Sequence, residues 1–233
     1  MQARSGRAAV LDAAVQNFQR VGYHGTSMRD IATGAGFTVA SIYNHFPSKQ
    51  RILQEIMVGI LTDALAATRS AVLRAGSRPH DQLRALMHAW LVFHTERRDE
   101  AVVGATEIRS LDPDGRRLVV ALRDEQEHLF REVVEHGAET GAFGTPHPAE
   151  AVRALIAMGT SVASWYRPGG GLTPHQMGER YERLALGLVE ARTDAAGDPA
   201  TSPDPAVSPE PASSPDSAPV DPSAPAQGDA SDD

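Results

Sequence analysis

The chain has 233 residues, of which 41% are apolar and 5% aromatic, with no cysteine and a formal net charge of −8. The lack of cysteine excludes a disulfide framework, thiolate metal sites and a cysteine nucleophile. Apolar runs such as Ile56 to Leu61 are much shorter than the roughly 20 residues that a membrane helix needs. Composition therefore predicts a cytoplasmic protein without a membrane span.

The charge is distributed unevenly along the chain. Residues 194–233 contain nine acidic residues, no basic residue and nine of the sixteen prolines. Such a segment buries too little apolar surface to offset its ordering entropy, which predicts a disordered Pro/Ala/Asp-rich tail. Residues 1–51 carry a net charge of +4, and residues 52–193 carry −3. A basic head on a mildly acidic body favours a polyanionic partner for the head.

Apolar residues before the tail recur at helical spacing, and no stretch alternates as a half-buried strand does. The pattern predicts an all-α fold of about nine helices. Gly22 is expected to end the first helix in the left-handed conformation, and Ser27 with Asp30 to cap the second. The expected spans are 6–21, a short helix from Ser27 to the breaker at Gly34, 39–46, 48–74, 80–95, 98–110, 114–139, 149–166 and 174–192.

Residues 27–46 have the layout of a helix-turn-helix, in which the second helix enters the major groove of DNA. The inward-facing set is apolar: Ile31, Ala32, Phe37, Ile42 and Phe46. The outward-facing set is short, polar or aromatic, as groove contact requires: Thr38, Val39, Ala40, Ser41, Tyr43, Asn44 and His45. Asn44 suits an adenine edge, Val39 and Ala40 suit thymine methyl groups, and Tyr43, His45 and Lys49 suit phosphates. The alternative is a small helical hairpin without a role in DNA binding.

The run Gly-Tyr-His-Gly-Thr-Ser-Met-Arg-Asp-Ile-Ala from Gly22 to Ala32, with Ala35-Gly36 and Ser41 to Lys49, resembles the N-terminal domain of TetR-family transcriptional regulators. The resemblance implies a homodimer in which three helices bind operator DNA and a ligand in the C-terminal domain releases it. Family DNA contacts map onto Thr26, Ser27, Val39, Ala40, Ser41, Tyr43, Asn44, His45 and Lys49. Glycine commonly stands where this chain has Ala40.

The resemblance also implies the domain division. Residues 1–50 are expected to form the helix-turn-helix DNA-binding domain, and residues 51–193 a helical bundle for ligand binding and dimerisation. The last two helices are expected to form the dimer. The predicted contacts join Leu155, Gly159, Val162 and Ala163 of one protomer to Tyr181, Leu184, Leu188 and Val189 of its partner.

Two predicted helices of the C-terminal half carry large apolar side chains with a few polar groups, as ligand cavities do. The candidate ligand-binding residues are Trp90, Phe93 and His94 on one helix and Met158, Ser161, Val162 and Trp165 on another. The alternative is that these residues fill a helical core.

The segment from Trp165 to Pro174, with 121–124 and 137–143, resembles a TetR-family branch that responds to acyl-CoA thioesters of fatty, aromatic or steroid-derived acids. Arginine suits such a ligand because its fork binds phosphate with two hydrogen bonds. Arg109 and Arg167 are the candidates. The alternatives are an ion pair between Arg109 and Glu107, and a cation at a helix C-terminus for Arg167.

Catalytic and metal motifs are not evident. His128, Glu132 and His136 share a helix face, which we interpret as solvated surface rather than a metal site. The chain has no Ser/His/Asp order, phosphate-binding glycine loop or paired-carboxylate setting. The sequence therefore predicts a regulator with no enzymatic activity, metal or cofactor; the alternative is a helical enzyme or small-molecule binding protein without specific DNA binding.

Overall fold

The computed structural model describes residues 6–192, so the predicted tail at 194–233 lies outside the described residues. Within this range the chain is helical and contains no β-strand, which confirms the all-α prediction. The helices are α1 (Gly6–Gly25), α2 (Met28–Ala35), α3 (Val39–Tyr43), α4 (Lys49–Arg74), α5 (Pro79–Glu96), α6 (Arg98–Thr106), α7 (Pro113–Glu139), α8 (Pro148–Trp165) and α9 (Pro174–Leu188), with a 3-10 turn at Ile108–Ser110.

Local signals position the N-terminal helices. The Ser27 side chain accepts from the Asp30 amide and the Asp30 carboxylate accepts from the Ser27 amide, which is the predicted capping box. These hydrogen bonds lower the pKa of Asp30. Gly36 ends α2 with a left-handed φ of 73°. Gly22 also has a positive φ of 76°, but its ψ of 164° is extended and not left-handed helical, and the helix resumes beyond this kink to Gly25.

Three helices end earlier than their periodicity predicts. Helix α3 stops at Tyr43 and not at Phe46, with the following turn held by hydrogen bonds from His45 and Phe46 to the Ile42 carbonyl. The predicted helix 98–110 is broken at Glu107, whose carboxylate accepts from Ser110 Oγ at 2.9 Å. Helix α9 ends at Leu188 because the chain turns to pair with the loop after α7.

Two hydrophobic cores hold the helices together. The first lies among α1–α4 and takes in Val103, Leu111 and Val119 from the C-terminal half. The second lies among the later part of α4, α5 and α7–α9. Helix α4 contributes to both, and this explains its mean hydropathy of 1.5 over 18 residues. Its length and composition would suffice for a membrane span, but its apolar face is buried as in a core helix.

The predicted dimer contacts on α8 face the interior of the protomer, whereas two of the predicted contacts on α9, Leu184 and Leu188, are exposed. Five of the predicted dimer contacts are buried within the protomer: Leu155, Gly159, Val162 and Ala163 of α8, and Val189. Helices α5, α6 and α7 pack against α8, and α5 also packs against α9. The large apolar side chains that remain exposed there are Trp165, Leu184 and Leu188.

Candidate DNA interface and ligand cavity

Helix α3 turns its polar side chains to solvent. Ile42 and Phe46 are fully buried on one side, whereas Tyr43 is 52% exposed on the other. Thr38, Ala40 and Asn44 are exposed too, and the Thr38 side chain caps α3 by accepting from the Ser41 amide at 3.1 Å. Val39, Ser41 and His45 are half-buried. The predicted base-reading residues therefore lie together on the accessible side of the helix.

Lys49 and Thr26 have structural partners. Lys49 Nζ donates to the carbonyls of Tyr23 at 2.7 Å and Thr26 at 2.6 Å, and lies 4.1 Å from the centre of the Tyr23 ring. Burial lowers the pKa of Lys49. The ammonium group keeps one further donor for a phosphate. Thr26 is buried with its hydroxyl donating to the Gly22 carbonyl at 2.9 Å, whereas Ser27 is exposed.

Arg7 is a positioning residue that the sequence reasoning missed. Its Nε donates to Glu55 Oε1 at 2.7 Å, and another guanidinium nitrogen donates to the His45 carbonyl at 2.9 Å. The guanidinium also lies 4.3 Å from the centre of the Phe46 ring. Arg7 thus fastens the segment after α3 to α1 and α4. A cation in the first turn of a helix carries no sequence signal for such a role.

A cavity of about 400 Å³ lies between α4, α5, α6, α7 and α8. Its wall is mostly apolar, with Met57, Ile60, Leu61 and Ile156 beside aromatic side chains. Three of the predicted ligand residues, Trp90, Phe93 and His94, line it.

The other predicted ligand residues do not line this cavity. Helix α8 turns Ile156 and Thr160 toward it, so residues on the other faces of the helix lie elsewhere. Val162 is fully buried in the core, and Met158 packs against that core. The remaining four are partly or largely exposed: Arg109, Ser161, Trp165 and Arg167.

Arg123 supplies the positive charge at the cavity instead. It lies on the same face of α7 as the buried Val119, Gln126 and Phe130. This helical spacing is the one signal in the sequence that Arg123 faces the interior. Its guanidinium donates to the Gly104 carbonyl of α6 at 2.8 Å, and burial lowers its pKa.

The C-terminal end of α6 also contacts the DNA-binding head. The Tyr23 amide donates to Glu107 Oε1 at 3.3 Å. Gln50, in the first turn of α4, donates to the Ser110 carbonyl at 2.6 Å and accepts from the Asp112 amide at 3.3 Å. A chain of direct contacts therefore runs from the cavity wall through α6 to the base of the head.

Within residues 6–192, no group of three or more histidine or acidic side chains is arranged to hold a metal ion. His128 and Glu132 form an exposed pair with 3.3 Å between Nε2 and Oε1.

Comparison with known proteins agrees with this arrangement. Residues 10–56 match the family described as bacterial regulatory proteins, tetR family, and residues 76–189 match the tetracyclin repressor-like C-terminal domain. The chain is 31% identical over 190 residues to the HTH-type transcriptional repressor KstR2 of Mycobacterium tuberculosis, covering 81% of this chain and 94% of that protein. The chain belongs to the TetR family. It is therefore a ligand-responsive helix-turn-helix transcriptional regulator and not an enzyme.

Solved structures share the fold of this TetR-family regulator. A tetR-family regulatory protein from Rhodococcus RHA1 matches with a TM-score of 0.76 and 27% identity, over 82% of this chain and 100% of that one. KstR2 of M. tuberculosis, described as a ketosteroid transcriptional regulator, matches with a TM-score of 0.75 and 27% identity, over 82% and 98%. AibR, solved with isovaleryl coenzyme A and operator DNA, has the same fold at 23% identity, with a TM-score of 0.71 over 81% and 100%.

Proposed function

We propose that this regulator represses transcription as a homodimer on an inverted-repeat operator and that an acyl-CoA thioester releases it. The observation that carries the proposal is Arg123, a cation on the wall of an apolar cavity that is hydrogen-bonded to the helix leading to the DNA-binding head. The likeness to a ketosteroid regulator supports an effector with a bulky apolar body. The site of action is the cytoplasm, where the operator lies.

The operator is read by α3. Its exposed side chains suit the major groove, with Asn44 toward an adenine edge and Tyr43 toward a phosphate. Residues 1–50 form the DNA-binding domain in this proposal. Because a two-fold dimer presents two recognition helices, the operator should contain two half-sites related by inversion.

The dimer forms through the exposed faces of α8 and α9. Leu184 is 55% exposed and Trp165 49% exposed in the protomer, and Leu188 lies one turn beyond Leu184. Small exposed residues of α8, Ala157 and Ser161, would allow the helices of two protomers to approach closely. The body, residues 51–193, thus combines dimerisation with ligand binding.

The acyl group occupies the cavity, and an oxygen of the CoA phosphates binds Arg123. A guanidinium has five N–H donors, and the Gly104 carbonyl uses one. An anionic oxygen competes with this carbonyl because charge-assisted hydrogen bonds are stronger than those to a neutral carbonyl. Once α6 loses this contact, the contacts of Glu107 and Gln50 with the head shift, and the two recognition helices no longer fit their half-sites.

Fluorescence anisotropy with the DNA upstream of the gene tests the proposal. Octanoyl-CoA and benzoyl-CoA serve as probes, with the free acids and CoA alone as controls. Wild type should bind the duplex specifically and release it with at least one thioester, by a coupling of about 1–3 kcal/mol. Arg123→Met should keep operator binding and lose release, and Arg123→Lys, which keeps the charge without the fork, should respond weakly. Release by the free acids alone would contradict the CoA assignment, and full release of Arg123→Met would contradict the role of Arg123.

A further inference from the structure

His94 is another polar group of the cavity wall, and its free ring nitrogen accepts a hydrogen bond where Arg123 donates. Its Nδ1 lies 2.8 Å from the Trp90 carbonyl oxygen. A carbonyl can only accept, so Nδ1 carries the hydrogen. In a neutral imidazole the other nitrogen then has a lone pair and no hydrogen. Nε2 of His94 is therefore a hydrogen-bond acceptor.

The ring is neutral and fixed in place. His94 is 7% exposed, and burial lowers its pKa to about 4. Its ring centroid lies 4.1 Å from that of Trp90 and 5.8 Å from that of Phe93, both in edge-on contacts. The charged side chains that line the same cavity are Arg123 and Glu127. Packing by two aromatic rings holds the direction of the Nε2 lone pair.

Among residues 6–192, Nε2 of His94 has no hydrogen-bond partner. No side-chain nitrogen or oxygen of the described residues is both fully enclosed and unpaired, so Nε2 borders open space, and His94 lines the cavity. Other polar groups of the wall already have partners. Trp90 Nε1 donates to the Ile156 carbonyl at 3.3 Å, and Gln126 hydrogen-bonds with Thr68 at 3.2 Å. The acceptor on His94 is therefore available to a ligand.

We propose that His94 selects effectors whose acyl part carries a hydroxyl group, which donates a hydrogen bond to Nε2. The inference rests on the proposed acyl-CoA function and adds the chemical class of the acyl group. An unsubstituted acyl chain would displace water from Nε2 and leave it unpaired, which disfavours binding. A hydroxyl group on the acyl part donates a hydrogen bond to Nε2. A site built around such a hydrogen bond binds the analogue without the hydroxyl group much more weakly. The effector is thus the CoA thioester of an apolar acid that carries a hydroxyl group.

The first test needs no ligand. Histidine ¹⁵N NMR of the full chain at pH 7 distinguishes the two neutral tautomers and the cation, and the His94→Phe spectrum identifies the His94 signals by their loss. We expect a neutral ring with hydrogen on Nδ1. A hydrogen on Nε2, in either the other tautomer or the cation, would overturn the inference whatever the effector is.

The second test compares matched thioesters by calorimetry. The pairs are benzoyl-CoA with para-hydroxybenzoyl-CoA, phenylpropanoyl-CoA with its para-hydroxy form, and octanoyl-CoA with ω-hydroxyoctanoyl-CoA. In wild type, at least one hydroxylated member should bind about tenfold more tightly than its parent. A para-methoxy analogue, which keeps the oxygen without the donor, should lose that advantage.

Variants of His94 assign the preference. The ratio of the two Kd values within each variant is the readout, because it cancels general damage to the fold. His94→Phe should bring the ratio to about one, whereas His94→Gln, which can place an amide oxygen near the position of Nε2, should retain part of it. Thioester binding without a hydroxyl preference, or a preference that persists in His94→Phe, would overturn the inference and leave the acyl-CoA proposal intact. Failure of all the thioesters to bind would overturn both.

Discussion

Gly159→Ala should destabilise the protein and fill its cavity. Gly159 lies on α8 directly against Trp90, and a Cβ at this position would stand 2.0 Å from Cδ1 and 2.2 Å from Nε1 of the indole. Trp90 is 3% exposed and packs edge-on against Phe130 with 5.6 Å between ring centroids. Trp90 also lines the cavity, which is the open space beside its indole ring. We therefore expect the methyl group added in Gly159→Ala to push the indole ring into the cavity.

The expected magnitude follows from two opposing effects. Overpacking a core costs about 1–3 kcal/mol, and the displaced indole also weakens its hydrogen bond to Ile156. Replacing a helical glycine with alanine returns at most about 1 kcal/mol. We expect a net loss of about 1–2 kcal/mol in the free energy of unfolding, which lowers Tm by roughly 2–8 °C for a domain of this size. Thioester affinity should fall as well, because the indole occupies the space of the acyl group.

Gly59→Ala is the matched control. Gly59 is an exposed glycine within α4, and nothing lies within 4 Å of a Cβ built there. The same chemical change should therefore raise stability by up to about 1 kcal/mol. Thermal unfolding of both variants is measured at one protein concentration, since the Tm of a dimer depends on it. If Gly159→Ala is at least as stable as Gly59→Ala, the packing argument is refuted. If Gly159→Ala is instead a monomer that binds the thioester normally, Gly159 lies in the dimer interface, as the sequence predicts.

Four further predictions concern the head, the dimer and acid stability. Asn44→Ala should relax preference at one base pair of the operator, measured by anisotropy with substituted duplexes, while uniform weakening would contradict base reading. Lys49→Ala should weaken operator binding. If the slope of log affinity against log salt concentration falls by about 1, Lys49 contacts a phosphate; if the slope is unchanged, the weakening comes from the lost hydrogen bonds to Tyr23 and Thr26. Leu184→Asp should give a folded monomer by light scattering, because a charge in the dimer contact is desolvated; an unchanged dimer would exclude this face. The free energy of unfolding should fall as the pH drops from 6.5 toward 4, because His94 takes up a proton in the unfolded chain at a higher pH than in the folded one. Urea unfolding should show a smaller fall over this pH range for His94→Phe than for wild type.

The helices of the head could be predicted because short-range chemistry determines them. Ser27 and Asp30 cap α2 through hydrogen bonds within four residues, and Gly36 ends it with the backbone conformation that glycine favours. Ile42 and Phe46 then lie on the buried side of the recognition segment at helical spacing. This spacing also decides which of its side chains are exposed.

The direction in which an apolar helix face turns could not be predicted in the same way. Leu155 and Val162 form an apolar stripe that suits a partner subunit as well as a neighbouring helix, and only the packing of α5, α6 and α7 against α8 decides between them. The sequence does not single out Arg123 as a ligand residue for a related reason, since arginine on a long helix is usually solvated. Its neighbours Val119 and Gln126 place it on the buried face, but the cavity exists only once five helices have assembled.

Occupation of the cavity and binding of the operator are linked through α6 in the proposed function. This linkage can be measured by calorimetric titration of one thioester into the free protein and into its operator complex. We expect the thioester to bind more weakly to the complex, by the same factor by which the thioester weakens operator binding, and we expect this factor to be lost in Arg123→Met. Equal thioester affinity for the free and the DNA-bound protein would contradict it.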